Sequence, residues 1–151
     1  MTPVERFHLG PPDRDRGVAP LLDADGSTVG LVDGGVLDAQ FAVADGYLVI
    51  TEDEDPWENS LYLSLFSRGL ERIDRVRLGI PYNGGTLRLR RVGPAEDLEF
   101  SFYGEEVWHV TVCPRPRLVL GGLFGPIRYL SGLRHRLIVS RFDAAEGRSR
   151  R

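Results

Sequence analysis

Apolar and polar residues alternate with a period of two along much of the chain, most cleanly in its middle. Leu61, Leu63 and Leu65 fall on one face. Leu98, Phe100 and Phe102 alternate with Glu99, Ser101 and Tyr103, and Trp108, Val110 and Val112 with His109, Thr111 and Cys113. This is the repeat of a strand that buries one side. The run "LEFSFYGEEVWHVTV" reads as a hairpin that turns at Gly104-Glu105, with Gly at the first turn position as a II′ turn prefers. Leu87 and Leu89 alternate with Arg88 and Arg90. "RIDRVRLG" and "RLRRV" each break phase once, which predicts a β-bulge or irregular end in each.

Turn signals punctuate these runs. Asp-Gly pairs at 25–26, 33–34 and 45–46 and "NGG" at 83–85 tolerate the positive φ of tight turns. No long segment has helical periodicity, and no repeat of 20 to 50 residues occurs. The pattern predicts an all-β fold: an antiparallel meander of about eight or nine strands, closed as a barrel or folded into a two-sheet sandwich. At most one short helix is expected, near 126–132, beginning at Pro126. The expected organisation is an extended N-terminal arm over 1–20, a single β domain over 21–142 and a flexible tail over 143–151.

The length, 151 residues, is enough for one sizeable core. All 19 basic side chains are Arg, which excludes Schiff-base lysine chemistry and a P-loop lysine and suits a GC-rich bacterial genome. One cysteine, Cys113, forms no internal disulfide. The longest apolar stretch, 118–133, is interrupted by Gly, Pro and Arg128, and the N-terminus lacks a signal-peptide pattern. A cytoplasmic protein with no membrane partner is the expectation.

Charge is distributed unevenly. Residues 1–60 carry 13 acidic and 3 Arg side chains, a balance of −10, and residues 61–151 carry 9 acidic and 16 Arg, a balance of +7. The halves either neutralise each other across one surface or form two poles suited to electrostatic docking.

Few motifs carry chemistry. "DADGS" (23–27) and Asp53, Asp55 and Glu58 resemble fragments of a calcium loop but lack its full ligand set. No Cys or His pair has zinc spacing, and no GxSxG, HExxH or GxGxxG occurs. His109 and Cys113 on one strand lie roughly 13 Å apart, too far to act as a pair. Glu96/Asp97 and Glu105/Glu106 sit in turns. Arg88, Arg90, Arg115, Arg117, Arg134 and Arg136 with Tyr62, Tyr82, Tyr103 and Tyr129 compose a nucleic-acid surface only if they share a face, and the acidic pI disfavours it. An enzyme would place His109 or His135 beside a carboxylate in a pocket. No catalytic role and no cofactor is assigned.

"TEDEDPWEN" (51–59) crowds Glu52, Asp53, Glu54, Asp55 and Glu58 around Pro56 and Trp57. As a plain hairpin loop it would fold Trp57 back over the sheet end. As a docking loop it offers charge to steer a basic partner and a ring to anchor it. The sequence supports a non-catalytic protein-binding module with Glu52, Asp53, Glu54, Asp55, Trp57 and Glu58 as its contact residues, in concrete form a bacterial immunity protein against a basic toxin domain. The alternative is a β-barrel carrier of a small apolar ligand, lined by Phe41, Phe66, Phe100, Phe102 and Trp108.

Overall fold

The computed structural model describes residues 1–55, 57–120, 125–142 and 149–150. Fourteen strands occur among them: β1 (Thr2–Pro3), β2 (His8–Leu9), β3 (Val18–Leu22), β4 (Thr28–Asp33), β5 (Val36–Val43), β6 (Gly46–Glu52), β7 (Leu61–Ser67), β8 (Arg72–Leu78), β9 (Arg88–Val92), β10 (Asp97–Ser101), β11 (Val107–Leu118), β12 (Ile127–Tyr129), β13 (Arg134–Phe142) and β14 (Ser149–Arg150). They form three antiparallel sheets. The central sheet runs β1-β5-β6-β7-β8-β12, the second β14-β13-β11-β10-β9 and the third β2-β3-β4. None closes into a barrel, so the sandwich alternative is the one realised.

The main core lies between the central and the five-stranded sheet. Leu48, Ile50, Leu61, Leu63, Leu65, Val76 and Leu78 meet Leu98, Phe100, Trp108, Val110, Val112 and Leu137 there. A smaller core covers the opposite face of the central sheet, where Val49 and Phe66 meet Phe7, Leu21 and Val32. β6 is therefore buried on both sides, which is why "YLVI" is continuous rather than alternating. Gly46 is needed at the start of β6, because a Cβ there would collide with the Phe66 carbonyl oxygen.

Both predicted bulges form. Leu65 faces Asp74 and Phe66 faces Arg72, leaving Ile73 as the extra residue of β8; Glu99 faces Arg91 and Phe100 faces Leu89, leaving Arg90 extra in β9. The predicted β10–β11 hairpin also forms, with Leu98 opposite Val110 and Phe100 opposite Trp108. Its connection is longer than a two-residue turn, because Phe102 and Tyr103 leave the ladder to enter the core.

No helix forms among the described residues. Residues 127–129, expected within a short helix, are extended as β12 and pair with the edge of β8; Pro126, just before the strand, contributes only its carbonyl, which accepts the Gly79 amide at 2.9 Å. Ile127 and Tyr129 pack on the main core from that position. Much of residues 1–20 is built into the sheets: Thr2 and Pro3 pair with β5, and His8 and Leu9 with β3, while residues 14–17 turn back under an Asp13–Val18 bridge. Of the expected tail, 143–148 and 151 lie outside the described residues; Arg150 pairs with Arg141 and Ser149 with Phe142.

Candidate functional site

The acidic segment connects β6 to β7 and divides into a fixed stem and an exposed tip. In the stem, Asp53 donates its amide to the Ser60 carbonyl at 3.1 Å and accepts the Ser60 amide on Oδ2 at 3.1 Å. The Tyr62 hydroxyl donates to the same oxygen at 3.3 Å. Burial, then the nearby Asp53 charge, pushes the Tyr62 phenol up to about 12, so it stays a donor.

Asn59, buried beside the tip, locks the other side. Its Nδ2 donates to the Gly85 carbonyl at 2.9 Å and its Oδ1 accepts the Gly85 amide at 2.6 Å, a two-bond clamp onto the "NGG" loop. Nδ2 also reaches Glu52 at 3.3 Å. The Tyr103 hydroxyl donates to the Asn59 carbonyl at 2.6 Å. Gly85 accepts this approach because a Cβ would strike the Phe102 carbonyl.

At the tip, Asp55 Oδ1 accepts the Trp57 amide at 2.8 Å and the Glu58 amide at 3.3 Å, an Asx turn that directs the chain outward. Trp57 is 83% exposed and does not fold back over the sheet. Pro56 lies outside the described residues. Glu54, Asp55 and Glu58 are exposed, and Glu54 pairs with Arg14 at 3.0 Å. That surface pair contributes under about 1 kcal/mol. Asp53, Glu54 and Asp55 form one wall of an open cleft of about 600 Å³ whose other wall is Pro12, Asp13 and Arg14.

Glu52 belongs to a different arrangement. The bulge of β5 between Leu37 and Ala39 leaves Asp38 unpaired beside Glu52. Burial first and the Glu52 carboxylate second push the Asp38 carboxyl up to about 7. Glu52 is raised too, by burial and then by Asp53. Both shifts run in the direction expected of neighbouring carboxyls that resist ionising together.

The six predicted contact residues thus separate. Glu54, Asp55, Trp57 and Glu58 present themselves to solvent, whereas Asp53 builds the stem and Glu52 pairs with Asp38. Sequence reasoning missed Arg14, Asp38 and Asn59. The run at 13–16 alternates Asp and Arg and reads only as part of an extended arm; a buried Asn and a bulge beside a carboxylate leave no pattern of their own.

Other candidates resolve differently. His135 Nδ1 lies 2.8 Å from Asp74 Oδ1 and its Nε2 lies 3.0 Å from the Gly132 carbonyl, both residues of the pair being at most 1% exposed. The pair joins β8 to β13 and lines none of the clefts. His109 lies 3.6 Å from Asp97 on an open sheet face, with Arg91 bridging Asp97 and Glu99. In "DADGS", Asp23 is held by Arg6 at 2.7 Å and Asp25 by Ser27, and no cluster of three potential metal ligands exists among the described residues. Of the Arg–Tyr set, Tyr103 is buried, Tyr129 is half-buried against His135, and Arg136 is held by Asp45 and the Cys113 carbonyl. No helix among the described residues is long and apolar enough to cross a membrane. Comparison of the chain with protein-family models, with curated proteins and with solved structures gave no match.

Proposed function

We propose that this chain is a non-catalytic protein-binding module whose contact surface is the tip of the β6–β7 loop. Trp57 is the anchor, and Glu54, Asp55 and Glu58 steer a basic partner. The observation that carries the reading is a tryptophan 83% exposed at the end of a stem held by Asp53, Asn59 and Tyr103. Holding an aromatic in water forgoes its burial, about 1.5–3 kcal/mol for a large side chain. A partner pocket recovers that burial, and a stem already ordered reduces the entropy lost on binding.

The concrete form is an immunity protein of a bacterial cytoplasm, its acidic tip blocking the basic active site of a toxin domain. Charge complementarity of this kind speeds encounter and selects the partner. The test is affinity capture from native lysate at low and moderate salt, with wild type beside Trp57→Ala and the double variant Glu54→Gln/Glu58→Gln. The expected result is one basic protein retained by wild type, weakened by salt and by the double variant, and lost with Trp57→Ala. Equal retention by wild type and Trp57→Ala overturns the reading.

A further inference from the structure

On the flank of the loop, where Glu58 reaches, the end of β8 gathers three arginines. Arg77, Arg128 and Arg141 line a cleft of about 280 Å³ together with Ser60, Ile80 and Pro126, and Glu58 is the one carboxylate among its lining residues. The β8–β12 ladder sets Arg128 directly opposite Arg77. Directly opposed residues project from the same face with Cβ atoms about 4.5–5.5 Å apart, and like charges so placed repel.

Several other guanidiniums of this chain are answered by carboxylates: Arg6 by Asp23, Arg75 by Asp33, Arg91 by Asp97 and Glu99, and Arg136 by Asp45. Arg141 is answered by Glu106 at 3.2 Å. Arg77 has only the Ser60 hydroxyl, at 3.0 Å from its Nε. Among the described residues no carboxylate comes within ion-pair distance of Arg77 or Arg128. The cleft therefore holds unspent guanidinium donors on two adjacent strands.

Gly79 keeps space beside them. Its φ lies outside the left-handed region, so its backbone does not require glycine, yet a Cβ there would stand 3.1 Å from Ser60 Oγ and 3.5 Å from Arg77 Nε. Paired guanidiniums with planar N–H forks match the oxygens of a phosphate group. Ile80 and Pro126 add an apolar wall.

We propose that this cleft binds a phosphate group, as free inorganic phosphate or as the monoester of a small molecule whose body lies along Ile80 and Pro126. Two oxygens take the forks of Arg77 and Arg128, and the anion relieves their repulsion. The inference rests on Arg77 and Arg128 and not on Trp57, although Glu58 borders both surfaces.

The experiment titrates the full chain with inorganic phosphate and, separately, with glycerol phosphate, at ionic strength held constant with chloride. Calorimetry and the thermal midpoint are read for wild type, Arg128→Gln and Gly79→Leu. The expected result is saturable binding by wild type, weakened about tenfold or more in Arg128→Gln. Gly79→Leu, which fills the cleft without changing its charge, loses binding as well. Tighter binding of glycerol phosphate assigns the small-molecule monoester, and equal binding assigns free phosphate. Without phosphate, Arg128→Gln is expected to melt at or above the wild-type midpoint, because a like-charge pair has been removed. Phosphate binding unchanged by Arg128→Gln, or a shift that chloride reproduces, means an adventitious ion only and overturns the proposal. So does a phosphate-free Arg128→Gln midpoint below wild type, which would make Arg128 a structural residue.

Discussion

Asp74 and the carboxylates of the β6–β7 tip are chemically alike and used in opposite ways. Asp74 is 1% exposed and its two oxygens accept four bonds: the Arg75 amide and His135 Nδ1, each at 2.8 Å, and the amides of Arg136 at 2.7 Å and Leu137 at 2.9 Å. A carboxylate has about four acceptor positions, so none is left over. His135 is spent in the same way, with both ring nitrogens facing acceptors. Glu58, in contrast, accepts no hydrogen bond among the described residues, and Asp55 uses one oxygen for its own turn. Burial demands full satisfaction of a charge, and a fully satisfied charge has nothing left to offer a ligand. A buried acid beside a histidine is here a rivet between two sheets. The candidate for recognition is the charge with spare capacity.

The largest test of that contrast is Asp74→Ala. It strands the His135 ring and three backbone amides in a region closed to water. Leaving a buried donor unpaired costs about 1–3 kcal/mol, and with several stranded together the loss is expected to reach about 3–5 kcal/mol. Chemical denaturation is expected to show a midpoint shifted by that amount, with the slope retained. A cost below about 1 kcal/mol would mean that water reaches the pair, and the contrast with the tip would collapse.

Asn59→Ala is expected to cost about 1–3 kcal/mol, because the Gly85 amide and carbonyl lose their buried partner. The same variant loosens the stem under Trp57. Hydrogen exchange at the Gly85 amide is expected to accelerate while the amides of β10 and β11 stay protected. Uniform acceleration would show instead that Asn59 supports the whole sandwich.

Asp38→Asn has a smaller, pH-dependent effect. Asp38 titrates near 7 in the folded protein against an ordinary value of 3.8, raised by burial and by Glu52. Between those values the folded chain holds a proton that the unfolded chain has released, so stability falls as pH rises through the window. Asp38→Asn removes the loss. The variant is expected to exceed wild type by about 1 kcal/mol above about pH 8, after solvent screening of a carboxyl that is only partly covered, and to match it below about pH 4. A gap that does not change with pH would rule out a raised Asp38 carboxyl.

The sequence made the sandwich legible through its period-two runs. Leu61, Leu63, Leu65, Leu98, Phe100, Trp108, Val110 and Val112 are all buried where alternation placed them. The bulges at Ile73 and Arg90 were legible as breaks of phase. The strand at Ile127–Tyr129 was not, because three residues are too few to carry a period and an edge strand depends on its neighbour β8 for pairing. The third sheet was hidden for a related reason: it packs on the central sheet through Phe7, Leu21 and Val32, residues separated in sequence from the strands they cover. At the site, composition marked the acidic loop but not the division of labour within it. Which carboxylate turns outward depends on Asn59, Tyr103 and the bulge at Asp38, all long-range or conformational facts.

Trp57→Ala has the smallest expected effect on stability and the sharpest consequence for the contrast. The side chain is 83% exposed, so its removal deletes little folded-state packing. Substitutions at such positions stay within about 0.5 kcal/mol of wild type. If the tip docks on a partner, the same change empties the pocket that the ring fills and costs about 2 kcal/mol of binding, close to a 30-fold loss of affinity. Asp74→Ala inverts this pattern, with a large loss of stability and binding that recovers once the folded fraction is corrected for. Denaturation and calorimetry on both variants therefore separate a residue that builds the molecule from one that the molecule presents. A Trp57→Ala chain that loses stability but keeps its affinity would place the ring among the structural residues, and the docking surface would then have to be sought among the three exposed carboxylates alone.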